Sequence, residues 1–428
     1  MATIPANYSM TNDGIELMNY IRSVAGQDYK DRIPEATRDN LADIGKTILQ
    51  YDALENEFLN ALVNRIGLVM ITSKVYQNPY KMFKKGMLNY GESIEEIFVN
   101  IIKAHQYDPA DAEKTLFKRE LPSVDAVFHR MNRKDFYPVT IEEDELSLAF
   151  TSPEGVTNLA NKIIESMYTS NEYDEFLLFK NLVVNAIKNR ALYPVVIPEL
   201  TKENAHDIVK IIKKVSNDLT FMNNIYNQMA VMTVTPKTEQ YLIIDTEFDA
   251  LIDVDVLASA FNMDKVTFAG HKTLIDNFAN QTGVHGIIVD KDWFMIFDKL
   301  MKFKDAENGK GLYWNYFLHV WQLWSVSPFA NAIVLTTNET TVTGVTVEPS
   351  NPTLSVGSRT EFTATVAGTG DYPSSVVWSI TGANDPDTYI DENTGVLYIG
   401  DNESGAPVVT ATSVFGDTKS GTSTVTIG

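Results

Sequence analysis

Side chains able to do chemistry are sparse in this sequence, and they are scattered. Six histidines stand at His105, His129, His206, His271, His285 and His319, and no two share the spacing of a metal-binding pair. Each reads as a structural or exposed imidazole. Asp253-Val254-Asp255 puts two carboxylates on one face of a strand, open to acid–base work or to polar alternation at an element boundary. Glu142-Glu143-Asp144-Glu145 offers charge for a divalent cation, but four adjacent acids on one short segment do not converge on a point. A solvated edge is the simpler reading. Cysteine is absent, which removes disulfides, thiolate metal sites and cysteine nucleophiles together. No Walker-type phosphate loop, Gly-x-Gly-x-x-Gly turn or Gly-x-Ser-x-Gly elbow occurs. No catalytic, cofactor-binding or metal site is expected, and the chain does not read as an enzyme.

Two further clusters have interaction chemistry. Lys81, Lys84 and Lys85 form a positive cluster in a chain of net charge −21. They read either as a solvated hairpin tip or as a contact to an acidic neighbouring subunit. The segment from Leu312 to Trp324 is dense in aromatics on alternating positions, Trp314 and Trp321 among them. It fits a stacking platform for sugars or bases, or a strand covered on both faces, which is the reading preferred here.

The elements that hold these residues come in several blocks. At 428 residues the chain exceeds what one core usually serves, so two or more domains are expected. The opening Met1-Ala2-Thr3-Ile4-Pro5 has no basic region followed by an apolar stretch, so no secretory signal is expected. No run is long enough to span a bilayer as a helix. The acidic balance opposes gripping nucleic acid over the whole surface, though it suits a protein that only contains it.

Ile44, Ile48, Tyr51, Leu54, Phe58 and Leu62 recur every three or four residues, which predicts one helix from Leu41 to Gly67. β-prone residues then frame 66–107 as a long two-stranded excursion that needs a surface to lie on. Ser152-Pro153-Glu154 opens a second helix. It runs to Pro194 with an interruption expected at Asn171. Thr201 is the expected cap of a third helix, with Ile208, Ile211, Val215 and Leu219 inward. Residues 240–335 read as buried strands mixed with helix.

After Thr336 the composition changes to Thr, Ser, Gly, Val and Pro, and Arg359 and Lys419 are the only basic residues left. Short alternating runs separated by turn residues predict an all-β domain over 340–428. Trp378 is its expected core residue, and Thr336-Thr337-Asn338 its short polar linker.

Four segments carry a family likeness: Leu62-Val63-Asn64-Arg65-Ile66-Gly67-Leu68-Val69, Phe128-His129-Arg130-Met131-Asn132-Arg133, Val289-Asp290-Lys291-Asp292-Trp293-Phe294-Met295, and the stretch from Gly311-Leu312-Tyr313-Trp314-Asn315-Tyr316 through Ser327-Pro328-Phe329-Ala330-Asn331-Ala332. By them the chain resembles the major capsid proteins of phi-29-like podoviruses. The resemblance implies an α+β, Hong Kong 97-like capsid domain over 1–337. Within it are an extended loop at about 66–107, a spine helix at about 153–190 and an axial domain at about 195–310. A return to the peripheral domain follows at about 311–335. Residues 340–428, with Val345-x-Val347-x-Pro349 and Trp378, resemble a bacterial immunoglobulin-like group 2 domain.

The implied function is a self-assembling head protein of a tailed bacteriophage, forming the icosahedral or prolate shell around double-stranded DNA. Implied partners are copies of itself in pentamers and hexamers, a scaffolding protein, the portal or connector, and packaged DNA without sequence-specific contacts. Head fibres or host surface are further partners open to the tail domain. No membrane and no cofactor enter. The implied location is the virion capsid, assembled in the host cytoplasm. The competing reading is a surface adhesin or decoration protein that binds through the immunoglobulin-like domain.

Overall fold

The computed structural model describes residues 14–51, 53–59, 61, 78–88, 93–99, 124–150, 153–251, 271–279, 281–416 and 419–428. They divide into two compact units. The first comprises Met1–Lys81, Asn132–Leu177 and Asp298–Gln322, the second Met82–Met131, Leu178–Phe297 and Leu323–Gly428.

The first unit packs helices on strands of a four-stranded sheet. α1 (Gly14–Val24), α2 (Gln27–Arg32) and α3 (Leu41–Leu49) turn Leu17, Ile21, Tyr29, Ile44 and Ile48 into one core. The single long helix expected from Leu41 is broken after Leu49, and helix resumes at residue 53. Tyr51, expected inside, is exposed, because the break takes it off the buried stripe. Against this core lie β4 (Arg133–Glu142) and β10 (Tyr313–Val326), paired antiparallel with Trp314 opposite Ile141 and Trp321 opposite Lys134. Residues directly opposite share a face. Trp314, Tyr316, Leu318 and Val320 point inward, while Phe317, His319 and Trp321 alternate outward and are only half-buried. The aromatic strand is therefore covered on one side, not both.

α4 (Glu143–Ala149) leads to α5, one helix over Pro153–Lys188. The expected interruption at Asn171 does not occur. Asn171 is buried, and its amide nitrogen donates to Glu175 Oε1 one turn on at 3.2 Å, which gives the side chain a partner within the helix. Arg133 donates to Gln322 and Tyr137, and Gln322 donates to Glu175 and Asp298 at 2.6 Å each. This buried polar network joins the helix to the strand pair.

The second unit is built on a five-stranded sheet. Its order is β5 (Tyr193–Val196), β11 (Ala332–Thr336), β8 (Val284–Asp290), β6 (Gln240–Asp245) and β7 (Lys272–Ile275). β11 runs parallel to β5 and antiparallel to β8. α6 (Ala205–Asp218) and α7 (Thr246–Leu251) pack Ile208, Ile212, Val215 and Phe248 onto Leu242, Ile244, Ile288 and Ile333. Ile212, not Ile211, is the fully buried position. The helix starts after Asn204, and Thr201 only accepts the Asn204 N–H at 3.4 Å.

Two expected boundaries move. The 311–335 segment divides, because β11 inserts between β5 and β8 while the start of β10 stays paired with β4. The 195–310 segment divides too, since β9 (Phe294–Asn308) leaves the second unit at Asp298. In both cases a long strand carries the chain on past the boundary that the resemblance implies.

The described residues of 341–427 are strands joined by turns and irregular backbone, with no helix among them. β12 (Thr341–Glu348) pairs with β15 (Thr363–Thr369), and β16 (Val376–Thr381) with β19 (Val408–Ser413). Trp378 is 3% exposed among Val347, Phe362, Leu397, Val409 and Val425. Gly395, at φ +73°, lets the backbone pass over the indole. A Cβ there would sit 2.7 Å from Trp378 Cε2 and 2.7 Å from the Phe362 carbonyl.

The Thr336–Asn338 segment is not a loose linker. Thr337 N–H donates to Gly283 O at 2.8 Å, and Asp371 accepts from Thr336 at 2.8 Å and Asn338 at 3.0 Å. The Arg190 guanidinium lies 3.6 Å from the Tyr372 ring centroid, and Ser375 donates to Gln228 O at 2.8 Å. The tail belongs to the same compact unit as residues 178–297 and 323–336.

Candidate assembly surface

The basic cluster sits where the 3-10 turn Pro79–Phe83 passes into β1 (Lys84–Met87). Its aromatics seat it. In the first unit Tyr80 stacks on Phe176 at 5.7 Å. In the second, Phe83 lies 4.5 Å from Phe294 and 5.5 Å from Phe179. Lys81 pairs with Glu172, a buried acid of α5 that also accepts the Asn78 N–H at 2.8 Å. Lys85 pairs with Asp292 at 3.0 Å. Lys84 stands between them at the head of β1. The cluster is thus no solvated hairpin tip, because two of its cations are neutralised inside the chain.

The neighbouring ribbon has the surface such a tip was expected to supply. β2 (Ser93–Val99) pairs antiparallel with β3 (Val124–Arg130), in register Val99 to Val124, Ile97 to Ala126 and Glu95 to Phe128. Of the two-stranded excursion expected over 66–107, residues 66–77 and 100–107 lie outside the described residues. The missed signal was the alternation Val124-Asp125-Ala126-Val127-Phe128-His129-Arg130.

The ribbon's two faces differ. On the inner one, His129 is 3% exposed, with Nε2 2.9 Å from Glu96 and Nδ1 2.8 Å from Ser325 Oγ. Ser327 donates to the other Glu96 oxygen at 2.7 Å, and Phe98 stacks on Phe329 at 5.5 Å. Serine, histidine and carboxylate stand in the order of a nucleophile relay, yet the imidazole is sealed from any substrate. The trio fastens the ribbon instead. On the outer face Ile97, Val99, Val124 and Phe128 are all exposed. A row of apolar side chains on a two-stranded ribbon marks a contact surface.

The other candidates take structural places. His271 stands 3.1 Å from Gln240 O and His285 2.9 Å from Asp245. His206 is exposed and His319 half-buried, while His105, Asp253 and Asp255 lie outside the described residues. Glu142 and Asp144 face solvent at the start of α4. Trp314 Nε1 donates to Asn56 at 3.2 Å, and Trp321 lies under Lys134 at 5.2 Å. Trp378 is in the tail core.

Comparison with known proteins identifies the family. Residues 18–336 match the family described as Phi29-like phage major capsid protein. The major capsid protein of Bacillus phage B103 is 40% identical over 94% of this chain and 90% of its own length. That of Bacillus phage PZA is 39% identical over 94% and 90%. A solved capsid structure of Staphylococcus phage Andhra superposes with a TM-score of 0.53 at 13% identity, covering 63% of this chain and 86% of that one. At that identity the likeness speaks for a shared fold alone. The match over most of the chain, and the identity to full-length relatives, place it in the Phi29-like phage major capsid protein family.

Proposed function

We propose that this major capsid protein builds a closed icosahedral or prolate shell of pentamers and hexamers, in which each copy lays its β2–β3 ribbon across a neighbour. The observation that carries the reading is the outer row Ile97, Val99, Val124 and Phe128, exposed on a ribbon whose inner face is fastened to its own chain. Burying such a row on a second copy is worth roughly 1.5–3 kcal/mol per side chain before the cost of association. A closed lattice multiplies that gain over many contacts. A contact through Lys81, Lys84 and Lys85 would add to the intrachain pairs at Lys81 and Lys85. The reading includes a Hong Kong 97-like arrangement, a scaffolding protein during assembly in the host cytoplasm, a portal, and DNA contained without sequence-specific contacts. The test is Val99→Asp with Phe128→Asp. The double variant should keep its melting profile and fail to form shells by light scattering and negative-stain microscopy. Normal shells would remove the ribbon from the mechanism.

Residues 340–428 belong to the same proposal as a bacterial immunoglobulin-like group 2 domain on the outer face of the shell. Arg359 and Lys419 are their only cations, so facing inward they would repel packaged DNA. From outside they are free to brace capsomers or meet head fibres or host surface. Protease should reach the tail in intact, DNA-filled particles. Protection until the shell is broken would put it inside.

A further inference from the structure

The excursion between α6 and β6 is free of charge over most of its length. From Leu219 to Pro236 there is no charged residue, although 21% of all residues are charged. Its exposed large hydrophobic residues are Phe221 at 69%, Met222 at 52%, Met232 and Val234, and Gln228 and Pro236 are exposed beside them. The segment is well ordered by its own bonds. Asn223 and Thr233 exchange backbone hydrogen bonds at 3.1 and 3.0 Å, an antiparallel bridge that sets Met222 alongside Val234. Thr235 N–H donates to Leu219 O at 2.8 Å and closes the base. Asn227 bonds both the N–H and the carbonyl of Val231 at 2.8 Å, and Val231 is fully buried beneath. Four large apolar side chains are thus displayed on a fixed frame. A preformed surface binds without the entropic cost of ordering itself.

We propose that this uncharged patch around Phe221, Met222, Met232 and Val234 is a second contact surface between copies of the chain, separate from the ribbon. The inference rests on the capsid reading, which makes other copies the most abundant neighbours. The charge pattern then selects the occupant. Each copy carries −21, so two copies repel wherever their acidic surfaces meet and approach most readily where charge is absent. Nucleic acid and anionic lipid would need cations, and the stretch holds no Lys or Arg. Phe and Met are also enriched at the buried centres of protein interfaces, and the polar rim here, Thr220, Asn223 and Asn224, is neutral.

The absence of cysteine makes the test direct. Met222→Cys is made in the full chain, with Val99→Cys on the ribbon as a separate reporter. Each is labelled with a fluorescent maleimide before assembly and in assembled shells. Labelling at position 222 should slow at least tenfold in shells, as should labelling at 99. Slowing at 99 with an unchanged rate at 222 would overturn the patch and leave the ribbon contact standing. Unchanged rates at both, or no shells at all, would defeat the capsid reading and the patch with it. As an independent arm, Phe221→Asp should raise the concentration needed for assembly at least tenfold without moving the melting temperature. Assembly at the original concentration would count against the patch.

Discussion

Single residues here act mainly through what they exclude or satisfy. Gly395 is the only residue type that fits between Trp378 and the Phe362 carbonyl. Gly395→Ala should therefore destabilise the tail by about 2–4 kcal/mol through strain and overpacking. Trp378→Ala should cost about 3–5 kcal/mol by the opposite route, a cavity. Hydrogen exchange across Val376–Thr381 would check both, and unchanged protection would show that the indole is not the keystone. Glu403 is a pH-sensitive counterpart. Burial pushes its carboxyl upward, but the Thr388 hydroxyl and the N–H groups of Asn384, Gly405 and Asp385 outweigh that and lower it to about 2. A depressed acid gives stability above its unfolded value, and that stability is lost as pH falls through the folded one. The tail should thus loosen between about pH 4.5 and 2, and Glu403→Gln should flatten that dependence. Trp378 carries a signal in the sequence, since a lone Trp in an alternating run has one good place to go. The Glu403 cradle carries none, since its donors are backbone groups without a sequence signature.

At the scale of elements, periodicity found α5 and the tail strands, and tertiary contacts decided the rest. The apolar stripe starting at Ile44 ran on through Tyr51 in sequence, yet the chain turns there. The lysines looked like a tip because Glu172 is 91 positions from Lys81 and Asp292 is 207 from Lys85. No local pattern reveals such partners. The revised expectation is that Lys81→Glu destabilises the subunit itself by about 1.5–3 kcal/mol, because it strands the buried Glu172 carboxylate. Chemical denaturation of the unassembled chain would measure this. A shift confined to assembly would return Lys81 to the role of an intermolecular contact.

At the scale of the whole molecule, the composition changes at Thr336 while the hydrogen bonding runs on across it. A change of residue types marks a change of architecture, but it does not report the bonds from Asp371, Tyr372 and Ser375 back to residues 190–336. A chain ending at Thr337 should therefore fold with a melting midpoint lower by about 5 °C or more, as loss of these contacts removes one to a few kcal/mol. Calorimetry of the truncated and full chains would decide it, and equal midpoints would make the junction energetically idle. The same junction has a mechanical side. The tail leaves directly from β11, which is hydrogen-bonded along both edges, to β5 and to β8. A pull on the tail, from drag or from anything it holds, loads that strand lengthwise, so its bonds resist together in shear and do not unzip singly. Stretched between its ends in an optical trap, the chain should give way first within the tail, which would act as a mechanical fuse that spares the five-stranded sheet.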